Sequence, residues 1–149
     1  MINLVFPDYP FRMREMDGKH QIFDEARKRW VAFTPEEWVR QNFLQYLFQE
    51  MNYPASLIAV EKEMQLGELS KRFDILVYNQ QHKPWMMVEC KSMDVTISDA
   101  VVHQVLRYNM AIPVRYLVVT NGRSSWFFEK KNGRLEALLE LPAWREGEE

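Results

Sequence analysis

The chain of 149 residues has one cysteine, Cys90. That excludes an internal disulfide, fits a reducing cytoplasm, and rules out zinc held by several thiolates. Its three histidines, His20, His82 and His103, show no ligand spacing. No apolar run approaches the length of a membrane span. The opening residues, Met1, Ile2, Asn3 and Leu4 through Pro10, lack the basic and long apolar regions of a signal peptide. Internal repeats and low-complexity segments are absent. There is no net positive charge either. The formal balance is −2, so composition makes no global case for nucleic acid. Five acids (Glu136, Glu140, Glu146, Glu148, Glu149) oppose Arg145 in the last residues. That tail reads as a frayed, solvated end, which leaves a near-neutral body.

What the chain does have is the apolar fraction of an ordinary globular protein and a length that suits one domain with a real core. Its middle is the informative part. Arg72-Phe73-Asp74-Ile75-Leu76-Val77 and Met87-Val88-Glu89-Cys90-Lys91 flank a polar connection at 79–84. Both read as strands. Alternation turns Glu89 and Lys91 to one face and Cys90 to the other. If the strands pair, Asp74 approaches the face of Glu89 and Lys91. Two carboxylates and an ammonium are the minimum equipment for holding a divalent cation against a phosphodiester. The alternative is an edge hairpin with a solvated charged face. Both carboxylates adjoin apolar runs, where an unpaired charge is costly and calls for a partner or a metal.

Around this pair the elements fall in order. Asp17-Gly18 between extended runs signals a hairpin. Arg27-Lys28-Arg29-Trp30-Val31 follows; this basic cluster suits either phosphate contact or, preferentially, a solvated face with one packed aromatic. Thr34 as N-cap, Pro35 at the first helical position and Glu37 as the capping-box acid start a helix that runs to Met51. Phe43, Leu44, Leu47, Phe48 and Met51 form its apolar face, and Asn52-Tyr53-Pro54 stops it. A strand at 57–61 precedes the two motif strands. A second helix over 98–111 has Val101, Val102, Val105, Leu106 and Met110 as its stripe. The continuous apolar run 115–120 reads as a buried strand. Asn121-Gly122 turns it, and Asn132-Gly133 marks a last hairpin. The expected fold is α/β, a mixed central sheet flanked by helices.

Helix, three strands, helix, strand, with Asp74 on the second strand and Glu89-x-Lys91 on the third, resembles the PD-(D/E)xK nuclease superfamily. Gln104-x-x-x-Tyr108 on the following helix is similar to the element of its RecB-like and type I restriction branches. Thr34-Pro35-Glu36-Glu37-Trp38-Val39-Arg40-Gln41, Lys71-Arg72-Phe73-Asp74-Ile75, Val88-Glu89-Cys90-Lys91 and Val119-Thr120-Asn121-Gly122 narrow the likeness. They resemble the N-terminal domain of type I restriction enzyme R subunits, over about residues 34–128.

The resemblance implies a restriction-endonuclease-like core at 34–128 within a single domain. Residues 1–33 would be an N-terminal hairpin extension, and 129–149 a C-terminal hairpin and acidic tail. It implies Mg²⁺- or Mn²⁺-dependent cleavage of DNA in the cytoplasm. Asp74, Glu89 and the Cys90 backbone carbonyl would hold the metal. Lys91 would orient water or stabilise charge on the phosphate, and Gln104 and Tyr108 would position the site or the DNA backbone. Glu37 would be the first-helix acid, with Glu36 competing for that role. No Gly-x-x-x-x-Gly-Lys-Ser/Thr loop is present, so ATP-driven translocation is not expected of these residues. The expected partners are therefore DNA and a motor or specificity protein. The alternative function is a DNA- or protein-binding module that keeps the fold without turnover.

Overall fold

The computed structural model describes residues 1–145. Strand β1 is Ile2–Asn3. A small antiparallel sheet follows: β2 (Met13–Met16), β3 (Lys19–Asp24) and β4 (Arg29–Ala32), in that order. Helix α1 (Pro35–Gln45) leads to β5 (Ile58–Leu66), β6 (Leu69–Tyr78) and β7 (Pro84–Cys90). Helix α2 (Asp99–Asn109) precedes β8 (Tyr116–Thr120), β9 (Ser124–Lys131) and β10 (Arg134–Leu138). Among the described residues the central sheet has seven strands, ordered β1-β9-β8-β7-β6-β5, with β10 also on β9. Only β7 and β8 run parallel, joined across α2. The sheet is mixed and flanked by helices, as expected.

Turn chemistry explains the local geometry. Asp17-Gly18 and Asn132-Gly133 each place both residues at positive φ (53° and 75°; 51° and 73°), the form that matches strand twist in a two-residue hairpin. Thr34 caps α1 by accepting the Glu37 backbone N–H at 3.0 Å. Ser98 caps α2 through the Val101 N–H at 3.3 Å.

Two cores lie on the two faces of the sheet. Val39, Phe43 and Leu44 of α1, with Leu47 just after it, pack on Ile75, Val77, Met86 and Val88. Trp85, 1% exposed, sits edge-on between Tyr53 and Tyr116, with centroids at 5.8 and 4.9 Å. Such pairs add roughly 0.5–1.5 kcal/mol each beyond area burial. On the other face Val102 and Leu106 of α2 meet Phe73, Leu76, Met87 and Leu117.

Several expectations need correction. Helix α1 does not stay α-helical to Met51; Tyr46–Glu50 is a π-turn closed by Met51 N–H on Tyr46 O at 3.1 Å. In α2 Val102 and Leu106 are buried and Val101 and Val105 pack half-buried on the same core, as expected, but Met110 is exposed and Asn109 is buried instead. The N-terminal extension is more than a hairpin, because β4 makes it a three-stranded sheet and β1 joins the edge of the central sheet on β9. The C-terminal segment is not frayed through 141–144. Leu141 is buried, Pro142 O accepts the Tyr53 hydroxyl, and Trp144 Nε1 donates to Tyr78 O at 3.1 Å. The rest of the acidic tail reading, at Glu146, Glu148 and Glu149, lies outside the described residues.

Candidate active site

The site forms where β6 and β7 run out of pairing. The ladder ends at Ile75 opposite Val88, so Asp74 and Glu89 stand one step beyond it. The Cys90 N–H donates to Asp74 Oδ2 at 2.7 Å, which fixes the carboxylate against β7. The Lys91 N–H donates to Thr120 O at 2.8 Å and anchors the far side to β8. Lys91 Nζ lies 3.5 Å from Glu89 Oε1, so alternation does bring these two to one face.

Asp74 does not share that face. Alternation slips at this point in the hairpin. Lys71 and Phe73 lie on the α2 side, whereas Ile75 and Val77 lie on the α1 side. On the partner strand Val60 packs with the α1 core and Met64 with the α2 core, although both are even-numbered. Between them Glu61 has φ +52°. Asp74 therefore turns toward α1 and meets Arg40, with Nη1 3.6 Å from Oδ1. The two acids approach across the end of the strands rather than along one face.

Arg40 is 6% exposed and ties three acids together. Its Nη2 lies 2.6 Å from Glu37 Oε1 and 3.0 Å from Glu61 Oε1, in addition to the Asp74 contact. Glu37 also accepts Arg27 Nη2 at 2.9 Å, Arg40 Nε at 2.8 Å and Gln41 Nε2 at 3.0 Å. Arg27 in turn pairs with buried Asp24. Thus the carboxylate of Glu37 is used up by this network and is not a reciprocal cap of the helix. Arg27, expected on a solvated face, is part of the same network, with its side chain 13% exposed.

Electrostatics separate the two neighbouring glutamates. Burial pushes Glu37 up, but hydrogen bonds from Arg40 and Gln41 and the charges of Arg40 and Arg27 hold it below its ordinary value. Glu36 is pushed up, by burial and then by the Asp74 carboxylate, against the pull of Arg40 and Lys91. Of the two, Glu36 is the one that feels Asp74 and Lys91. Burial also raises Asp74, against the Cys90 N–H, Arg40 and Lys91. Glu89 is raised by burial and by Asp74, against Lys91 and Lys71. Three carboxylates thus carry negative charge that the neighbouring cations only partly offset.

Two grooves meet here. One, under α2, is lined by Lys71, Glu89, Lys91, Gln104 and Tyr108. Gln104 and Tyr108 share it with Glu89 and Lys91 but lie on its outer wall, where Tyr108 is 73% exposed. Lys71 Nζ sits 3.7 Å over the Tyr108 ring and donates to Asn109 Oδ1. Burial pushes the Lys71 ammonium down. The other groove, beside α1, is lined by Ala32, Glu36, Arg40, Glu61 and Ser92. The Cys90 side chain faces neither groove. It is buried, and its thiol is pushed far up, above all by burial, so it supplies no thiolate.

Sequence reasoning missed Arg40, Glu61 and Lys71. Arg40 carried a signal, since it lies three residues after Glu37 and four after Glu36 on one helix face. Among the described residues no group of three or more His, Cys, Asp and Glu is gathered closely enough to hold an ion alone. No helix among them is long and apolar enough to cross a membrane.

Residues 35–142 match the family described as type I restriction enzyme R protein N terminus. No curated protein matches the chain.

Proposed function

The chain belongs to the type I restriction enzyme R protein N-terminal family, and from that premise we propose that it is a Mg²⁺- or Mn²⁺-dependent deoxyribonuclease domain of the PD-(D/E)xK type. The observation that carries this reading is the convergence of Asp74, Glu89 and Lys91 at the end of the β6–β7 ladder, with all three carboxyls of Asp74, Glu89 and Glu36 pushed up. Buried, mutually repelling carboxylates favour a cation between them.

The donor set suits a hard cation. Mg²⁺ usually takes one or two carboxylates, keeps several waters and binds substrate phosphate, rather than sitting in a full protein cage. Asp74 and Glu89 would supply those carboxylates. Within an extended strand the N–H and C=O of one residue face the same neighbour. The Cys90 carbonyl therefore belongs on the side of Asp74, where its N–H already points. A bound Mg²⁺ would polarise the phosphodiester and lower the pKa of an attached water.

The chain's own residues do the rest. Cys90 N–H and Arg40 hold Asp74 in place. Lys91, drawn toward Glu89, presents an ammonium to charge developing on the phosphate. Glu36, not Glu37, is the first-helix acid with a carboxylate free to act through water, since Arg27, Arg40 and Gln41 occupy that of Glu37. Gln104 and Tyr108 face the groove as contacts for the DNA backbone. DNA cleavage in the family's setting would draw on a partner for translocation and sequence choice.

A second reading has its own observation. Asp74 already has two partners, Cys90 N–H and Arg40, so the site is stable as a charge cluster in a module that only binds. One experiment separates the two. Linear, circular and single-stranded DNA are incubated with the protein, Asp74→Ala and Glu89→Ala, with Mg²⁺, Mn²⁺ or chelator, beside Mn²⁺ calorimetry. Metal-dependent cutting and Mn²⁺ binding that both variants lose is the expected outcome. Equal Mn²⁺ binding by the variants rejects the metal site. Salt-sensitive DNA binding without cutting by any form selects the binding module.

A further inference from the structure

Resting on the DNA reading above, we propose that the outward face of the small β2–β3–β4 sheet holds duplex DNA by its phosphates, next to the site. Residues directly opposite one another in a ladder share a face. Arg14 is opposite Gln21, which is opposite Ala32, and Phe23 is opposite Trp30. Phe23 N–H donates to Arg12 O at 2.9 Å, which places Arg12 opposite Phe23. Lys19 extends this face beside Met16. The acids of these strands alternate away from it. Asp24 is fully buried with Ile22 on the inner face, and Glu15 shares that phase. Among the described residues only Glu25, from the following turn, reaches a cation of the outer face, at 3.5 Å from Arg12.

The two arginines sit over aromatic rings. The Arg12 Cζ is 3.8 Å from the Phe23 centroid, and the Arg14 Cζ is 4.4 Å from that of Trp30. Arg14 Nε also donates to Gln21 Oε1 at 2.7 Å. A guanidinium held over a ring loses less freedom on binding phosphate, which its planar fork of N–H donors suits. The stacking also decides the class of partner. Single-strand binders offer bare aromatic rings to bases; here guanidiniums cover both rings, leaving cations to meet phosphates. Position completes the argument. Ala32, on this same face, lines the groove shared with Glu36, Arg40 and Glu61. Acids in that groove repel DNA, and cations on the adjoining face offset that repulsion.

The test is fluorescence anisotropy of a labelled duplex in chelator, where the DNA binds without turnover, across a salt series. Each phosphate contact contributes roughly 0.9 to the slope of log affinity against log salt. Arg12→Gln/Arg14→Gln/Lys19→Gln should lower that slope by roughly two to three, and Lys19→Gln alone by roughly one. Low-salt affinity of the triple variant should drop at least about tenfold, while Arg134→Gln on β10 leaves both quantities as in the parent. Lys19 is exposed and keeps the experiment decisive if the triple variant unfolds. Unchanged slopes, with a parent that binds and cuts DNA, overturn this face alone. A parent that neither binds nor cuts any DNA form overturns the nuclease reading as well. Tighter binding of single strands than of duplex, lost in the triple variant, overturns the duplex assignment.

Discussion

Replacing Glu37 with glutamine keeps the shape of the side chain and removes its charge from between two arginines. Glu37 is 6% exposed and accepts four hydrogen bonds, two from Arg40 and one each from Arg27 and Gln41. Removing one partner of a buried ion pair costs roughly 3–5 kcal/mol, because the other charge is left uncompensated. The lower end applies here. Arg27 keeps Asp24, and Arg40 keeps Glu61 at 3.0 Å and Asp74 at 3.6 Å. A loss of about 3 kcal/mol lowers Tm by roughly 6–12 °C in a chain of this size. Urea unfolding followed by tryptophan fluorescence measures it, beside Glu36→Gln as the contrast. Among the described residues none hydrogen-bonds the Glu36 carboxylate. Removing its charge relieves repulsion with Asp74, so stability should stay within about 0.5 kcal/mol while Mn²⁺ affinity falls. A Glu37→Gln loss below about 1 kcal/mol, the range of exposed pairs, would refute the buried network. It would also reopen Glu37 as the first-helix acid.

The same network gives a pH dependence. Glu37 is held below its ordinary value in the folded state, so its contribution is complete above the unfolded value of about 4.5 and is lost as pH falls through the lower folded value. Acid titration of stability should therefore fall more steeply for the parent than for Glu37→Gln below that point. Lys91→Ala should fold normally, since its side chain is a third exposed, and should lose roughly 100-fold or more in cleavage rate; unchanged cleavage rejects its role. Gly122 has φ +86°, and a Cβ there would lie 3.2 Å from Val39 Cγ2. Gly122→Ala should cost roughly 1–3 kcal/mol by the strain of that conformation, read by thermal unfolding.

Much of the fold was legible because local chemistry decided it. The Asp17-Gly18 and Asn132-Gly133 turns, the Thr34-Pro35 helix start and the apolar run of β8 each carry their cause within a few residues. The likeness to type I R subunits, read from four ordered motifs, is borne out by the family match. What the sequence hid depends on partners far along the chain. Two residues, Ile2–Asn3, have no period to read, yet they pair with β9. Leu141 and Trp144 look like the start of a polar tail until Tyr53 and Tyr78 are seen beside them. Arg27 reads as surface charge until Asp24 and Glu37 close on it. The site was legible as a set of residue types but not as an arrangement. Strict alternation put Asp74 beside Glu89 and Lys91 on one face, and the slip at Glu61 moved it to Arg40.

A strand has only two settings for its side chains, and the β5–β6 hairpin uses both. Odd-numbered β6 residues on its turn side, such as Phe73, face the α2 core, whereas on its far side Ile75 and Val77 face the α1 core and the even-numbered Leu76 the α2 core. Asp74 and Glu61 occupy the switch itself. The position of the acid is thus coupled to the wiring of two hydrophobic layers. Removing the switch would exchange every inward side chain between layers on one side of it. A β-branched residue at 61 would resist the left-handed backbone found there and push the hairpin toward a single setting. The acid at this boundary is bound by the fold to a single address, a constraint that acts before any demand of chemistry.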